Sequence, residues 1–184
     1  MSDNHSDQIR KPGAVGVIAT DTVYGLVACA ADQAAVARLY QLKRREAKPG
    51  TIIAASIDQL EQLGIKRRYL TAVEQFWPGA VSVVVPCGPE LEYLHQGARS
   101  LAVRIPDDQP LRQILEQTGP LLTSSANHPG EPTSTTIDQA KAYFGDQVDY
   151  YHDGGDLSNR QPSTIIRIVD DAIEILRQGA AIIK

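Results

Sequence analysis

Four cations fall within six residues at Lys43-Arg44-Arg45-Glu46-Ala47-Lys48, with one carboxylate among them. The stretch closes a helical pattern and runs into Pro49-Gly50, so its side chains are expected to leave from a loop and not along one helix face. Clustered Lys and Arg suit an anionic ligand such as a polyphosphate. The same charges also favour an ordinary helix C-terminus. A second stretch, Thr20-Asp21-Thr22-Val23-Tyr24-Gly25, puts small hydroxyls and a Tyr directly after an apolar run. Ligands often bind at that end of a strand in α/β sheets, although a Thr/Asp turn with a packed Tyr reads the same way. Thr123-Ser124-Ser125-Ala126-Asn127 follows another apolar run. Its hydroxyls and amide could hold phosphate oxygens, a ribose or an amino acid, or simply make a turn. Arg104 stands among apolar neighbours in LAVRIP at 101–106. A charge so placed needs a partner, either a bound carboxylate or a structural ion pair. Pro162-Ser163-Thr164 opens a late strand, and Arg177-Gln178-Gly179 closes the next.

Other familiar chemistry is missing. There is no GxxxxGK[ST] loop, no GxGxxG and no GxSxG. His5, His95, His128 and His152 have no metal-ligand spacing, no metal-ligating set is assigned, and His95 and His152 read as surface residues. Phosphate chemistry here would rest on Lys, Arg and hydroxyl groups.

The elements that must position these residues come from an ordinary globular composition. The chain has 184 residues, 42% apolar and 22% charged, enough for one domain with its own core. Aromatics are only 5%, so that core is mostly aliphatic. The 18 basic and 22 acidic side chains leave a net charge of -4. That argues against a generally basic nucleic-acid coat, but leaves room for a local patch such as Lys66-Arg67-Arg68. Cys29 and Cys87 are the only cysteines and read as reduced thiols of a cytoplasmic protein. The opening MSDNHSDQIRKPG has no apolar signal core, and no apolar run reaches the ~18 residues a membrane span needs. A flexible tail over 1–12 and a domain over 13–184 are expected.

Strands are predicted over 14–19, 51–56, 80–86 and 101–106, GPLLTSSAN at 119–127 reads as a strand running into a polar loop, and one more strand lies within 148–163. TDTVYGL is read as a polar break after the first. Helices are predicted from the Asp32 cap to 42, over 58–64, 67–77 and 108–117, and over 137–144 behind Thr135 or Thr136. STIIRIV and AIEILRQG, separated by Asp170-Asp171, form a β-hairpin. The fold class is therefore α/β with a twisted mixed sheet.

Together, TDTVYGL (20–26), Lys43-Arg44-Arg45 with Lys48, WPGAVSVVV (77–85), VRIP (103–106), Ser125-Ala126-Asn127, PSTII (162–166) and LRQG (176–179) resemble the YrdC/TsaC family of threonylcarbamoyl-AMP synthases, in its short bacterial form. Each motif is short; their common order is specific. The resemblance implies a YrdC-like domain with an open concave ligand cleft and helices flanking the sheet. It implies L-threonylcarbamoyladenylate and pyrophosphate made from L-threonine, bicarbonate or CO2, and ATP, for t6A37 in tRNAs reading ANN codons. The product would pass to the TsaB, TsaD and TsaE set, and Mg2+ would accompany ATP.

By the same resemblance, Lys43, Arg45 and Lys48 grip phosphates and the carbamate, with Lys43 and Arg45 catalytic. Thr22 contacts threonine, Tyr24 shapes its pocket and Arg104 pairs with its carboxylate. Ser125 and Asn127 bridge threonine and nucleotide with Thr123 nearby. Thr133 lies near ATP, Ser163 near threonine and Arg177 near the phosphates. One departure is Glu46, where many members carry Pro after the Arg. The alternatives are an RNA-binding module for tRNA or double-stranded RNA, and the carbamoyl-transfer chemistry of hydrogenase-maturation proteins, whose YrdC-like domain has similar KxRxxKP spacing.

Overall fold

The Val- and Ile-rich runs pair into one mixed sheet. The computed structural model describes residues 3–44 and 48–183, with the side chains of Asp3 and Asn4 left aside. In chain order its elements are α1 (Asp3–Ile9), β1 (Val15–Ala19), β2 (Tyr24–Cys29), α2 (Gln33–Lys43), β3 (Thr51–Ile53), α3 (Ile57–Leu63), α4 (Arg67–Thr71), β4 (Val81–Pro86), α5 (Glu92–His95), β5 (Ser100–Arg104), α6 (Gln109–Thr118), β6 (Leu121–Ser125), α7 (Ile137–Phe144), β7 (Tyr150–His152), β8 (Thr164–Val169) and β9 (Ala172–Arg177). The strand order is β7-β1-β2-β6-β3-β5-β4-β8-β9. β1–β7, β3–β5 and β4–β8 pair parallel, and the other neighbours antiparallel.

Side-chain caps set where four helices start. Asp32, Ser56, Asp108 and Thr136 each accept a backbone N–H three residues on, a contact of about 1 kcal/mol each. Gly64 closes α3 in the left-handed region, as its position at the end of the helical pattern predicts.

The sheet buries both faces. Ile18, Val27, Ile53 and Leu121 pack with Ile9 of α1 and with Leu111 and Leu115 of α6. Val17, Leu26, Ile52 and Leu122 join a larger core with Leu39, Leu94 and Phe144 from α2, α5 and α7. This architecture is the α/β class expected, and no helix among the described residues is long and apolar enough to cross a membrane.

Several expectations need correction. The flexible leader is helix α1 over most of its length. Ile9 is buried, its carbonyl receives the Cys29 thiol at 3.4 Å, and Gln8 Oε1 lies 2.9 Å from His152 Nε2. TDTVYGL is not one polar break: only 20–23 turn, and Tyr24 begins β2, antiparallel to β1. Gly25 hid the strand by interrupting its apolar run. The strand at 51–56 stops at Ile53, and 67–77 divides into α4 and a 3-10 turn at Glu74–Phe76.

His95 and His152 are buried, not on the surface. His95 Nδ1 accepts from the Gly97 and Arg99 amides, so Nε2 carries the proton and donates to the Gly88 carbonyl at 3.1 Å. His152 stacks on His5 at 3.7 Å between ring centroids. Burial, with a lesser contribution from His5, lowers its pKa to about 4.

Candidate active site

The face that is apolar beneath α1 and α6 turns small and polar towards its other end. Register carries this change across five strands. Gly25 faces Ser125, Thr123 faces Thr51, Thr51 faces Ala102, and Ala102 faces Val84. With hydroxyls and a missing side chain in place of Leu and Ile, the floor is low and wettable. Above it lies an open cleft, walled by the 20–23 turn, Pro49-Gly50, Ser163 and Arg177. Two glycines keep it open. A Cβ on Gly25 would collide with the Thr123 hydroxyl, and one on Gly50 would come within 2.6 Å of the Thr123 carbonyl.

The 20–23 turn is rigid. The Thr20 hydroxyl donates to the Val23 carbonyl at 2.6 Å and accepts the Thr22 amide at 3.2 Å. The two threonine hydroxyls lie 3.1 Å apart. From outside, the Arg160 guanidinium donates to the Thr20 carbonyl at 2.9 Å.

Arg104 is 3% exposed on the cleft floor. Its Nη2 donates to Asp21 Oδ1 and its Nη1 to Ser82 Oγ, both at 3.0 Å. So the structural ion pair, left open from the sequence, is present, in an arginine that also lines the cleft. On the far wall, Arg177 Nε and Nη2 both donate to the Ser163 carbonyl, at 3.2 and 2.8 Å.

Of the residues expected at a site, Thr22, Arg104, Thr123, Ser125, Ser163 and Arg177 line this one cleft. Lys48 is exposed next to Pro49-Gly50. Arg45 and Glu46 lie outside the described residues. Lys43 does not leave from a loop into solvent. It is 4% exposed at the last turn of α2, and its ammonium donates to the Ser125 carbonyl (2.7 Å), the Asn127 carbonyl (2.7 Å) and Asn127 Oδ1 (3.0 Å). Lys43 thus fastens the turn after β6, and it is not among the described residues that line the cleft.

Asn127 is held in that turn, donating to the Glu131 carbonyl at 2.7 Å. Thr133 is half-buried further along the same loop and away from the lining. Tyr24 is fully buried on the other face of β2. Its hydroxyl donates to the Gly155 carbonyl at 2.8 Å and accepts the Gly154 amide at 2.9 Å. It anchors the 153–155 loop and does not shape the pocket, because its neighbour Gly25 has the cleft-facing parity.

Sequence reasoning missed Thr51, Gly50, Ala102 and Ser82 as site residues. Their signal was period-two alternation: in LAVRIP, Arg104 and Ala102 share a face, and Ser82 shares it on β4 through pairing of Val84 with Ala102. The second basic cluster is partly neutralised, with Arg67 bonded to Asp58 at 2.7 Å and Glu61 at 2.5 Å. Among the described residues no three His, Cys, Asp or Glu side chains come together to hold a metal.

Residues 8–179 match the Sua5/YciO/YrdC family, described as Telomere recombination. The chain is 37% identical to a threonylcarbamoyl-AMP synthase of Chromohalobacter salexigens over 158 residues, covering 83% of this chain and 85% of that protein. It is 35% identical to one of Marinobacter nauticus over 164 residues, covering 85% and 86%. Among solved structures, Sua5 of P. abyssi complexed with L-threonine superimposes with a TM-score of 0.84 at 31% identity. The match takes in 97% of this chain but only 54% of the longer P. abyssi chain. A motif order, a sheet topology and these likenesses agree: the chain belongs to the Sua5/YciO/YrdC family.

Proposed function

We propose that the chain is an L-threonylcarbamoyladenylate synthase, a nucleotidyltransferase that joins L-threonine, bicarbonate or CO2, and the AMP part of ATP, releasing pyrophosphate. The observation that carries this reading is the polar cleft between Arg104 and Arg177, in a chain like named threonylcarbamoyl-AMP synthases over most of its length. Arg104 suits the carboxylate of the amino acid. Its fork is held flat from two sides, which presets its direction. Thr22, Ser125 and Ser163 surround the space in front of it. Arg177, on the cleft wall, and Lys48, exposed beside Pro49-Gly50, would meet the triphosphate in this reading.

The amine adds CO2 and loses a proton to give an N-carboxylate. That anion attacks the α-phosphorus, and the bond to pyrophosphate breaks. The nucleophile is already charged, so the chain's task is to align it and to offset charge on the leaving group. Lys43 serves here by holding the turn that carries Ser125. Mg2+ travels with the nucleotide in this reading. The cleft lining is hydroxyl and guanidinium, which does not form a cage for a cation, so no step runs through a protein-held metal. The adenylate would serve t6A37 synthesis in the cytoplasm through the TsaB, TsaD and TsaE set. A purely RNA-binding role draws little support from a cluster whose central Arg67 is paired twice with carboxylates.

Pyrophosphate release from ATP, with threonine and bicarbonate omitted in turn, tests the proposal. Release that needs both, with a threonylcarbamoyl-AMP mass in the product, is expected. Release indifferent to threonine would overturn it.

A further inference from the structure

Beneath the cleft runs a chain of polar groups: Asp21, Arg104, Ser82, Ser163 and Arg177. Its hydrogen atoms can be assigned from donor chemistry alone. Arg104 has no acceptor, so its Nη1 donates to Ser82 Oγ at 3.0 Å. Ser82 has no exposed surface, and its only other side-chain partner among the described residues is Ser163 Oγ at 2.8 Å. Its single hydroxyl hydrogen must therefore go to Ser163, or be buried without a partner. Arg177 is also only a donor, and its Nη2 approaches Ser163 Oγ at 3.3 Å. Ser163 Oγ thus accepts from both neighbours. Its own hydrogen has no partner within the described residues, on a side chain that lines the cleft.

We infer that Ser82 is a positioning residue that fixes Ser163 as a hydrogen-bond donor into the cleft. The inference rests on the amino-acid reading above and sharpens it. The ligand atom set against Ser163 must be an acceptor, a carboxylate or hydroxyl oxygen of the amino acid. The ammonium of an amino acid is excluded from that spot, since it can only donate. Two guanidinium groups impose this polarity from opposite sides, and Ser82 passes it from one to the other. Without the Ser82 hydroxyl, Ser163 could turn its hydrogen inwards and lose the acceptor.

The test is a double-mutant cycle read as the KM for threonine in the pyrophosphate assay. Ser82→Ala and Ser163→Ala should each raise that KM roughly tenfold, the size of one hydrogen bond of about 1.4 kcal/mol. The KM for ATP should stay within about twofold. The double variant should be no worse than Ser163→Ala alone, because both act through one donated hydrogen. Ser82→Thr keeps the hydroxyl and should restore the KM. Additive losses in the double variant, or a threonine KM unmoved by Ser82→Ala in protein with an unchanged melting temperature, would overturn the role of Ser82 alone. A wild-type protein indifferent to threonine would overturn it together with the reading beneath it.

Discussion

Two buried cations flank the cleft, and they are held in contrasting ways. Lys43, at the end of α2, donates to two carbonyls and an amide oxygen of the turn after β6. Arg104, on β5, shares its fork between a carboxylate and a serine hydroxyl and still lines the cleft. An ammonium is a point donor that can knit a turn together; a guanidinium is a flat fork that can be anchored at one side while another side meets a ligand. In the reading proposed above, the difference gives Lys43 a part in the architecture and Arg104 a part in recognition, where the sequence left a structural role open for both.

The sharpest way to break that contrast is Lys43→Met. Three buried acceptors would lose their donor, at about 1 kcal/mol or more each. For a chain of this size the melting temperature should fall by about 6–12 °C. An unchanged melting temperature would return Lys43 to the ligand. Arg104→Lys should do the opposite. Its charge survives and its fork does not, so kcat/KM for threonine should fall on the order of 10–100-fold, with a smaller thermal shift. Equal damage to both properties would erase the distinction.

Arg177→Ala removes an exposed side chain that braces the Ser163 carbonyl. Turnover should drop by about fivefold, with stability within about 0.5 kcal/mol of wild type, as denaturant unfolding would report. A control away from both cations is His152. Its folded ring takes a proton only near pH 4, whereas an unfolded histidine does so near 6.5. Between those values the unfolded chain binds more protons, so stability falls as pH drops from about 6.5 towards 4. Melting curves across that window should show the slope in wild type and a weaker one in His152→Gln.

Much of the frame was legible because caps and periodicity are local. Asp32, Thr136 and the hairpin about Asp170-Asp171 all stand where their side chains or turn chemistry place them. The cleft was legible in outline, since TDTVYG, TSSAN, Arg104 and PST converge on it. What escaped was parity and partnership. Tyr24 and Gly25 are adjacent letters on opposite faces of one strand. Lys43 and Arg44 are adjacent cations, one buried and one exposed. Ser82 sits in a valine run and became meaningful only when β5 brought Arg104 beside it. Such facts belong to strand register, which is fixed by pairing across the sheet and not by neighbours in the chain.

The walls of the cleft come from opposite ends of the sequence, and Arg160 reaches back 140 residues to secure the Thr20 carbonyl. Contacts of such span close late, after most loop entropy has been lost. A ribosome-bound chain that has emerged only as far as β6 carries Arg104 but lacks Ser163 and Arg177. It has no assembled cleft. A ligand of this cleft, the proposed amino acid included, would therefore stabilise only chains in which the C-terminal hairpin has formed.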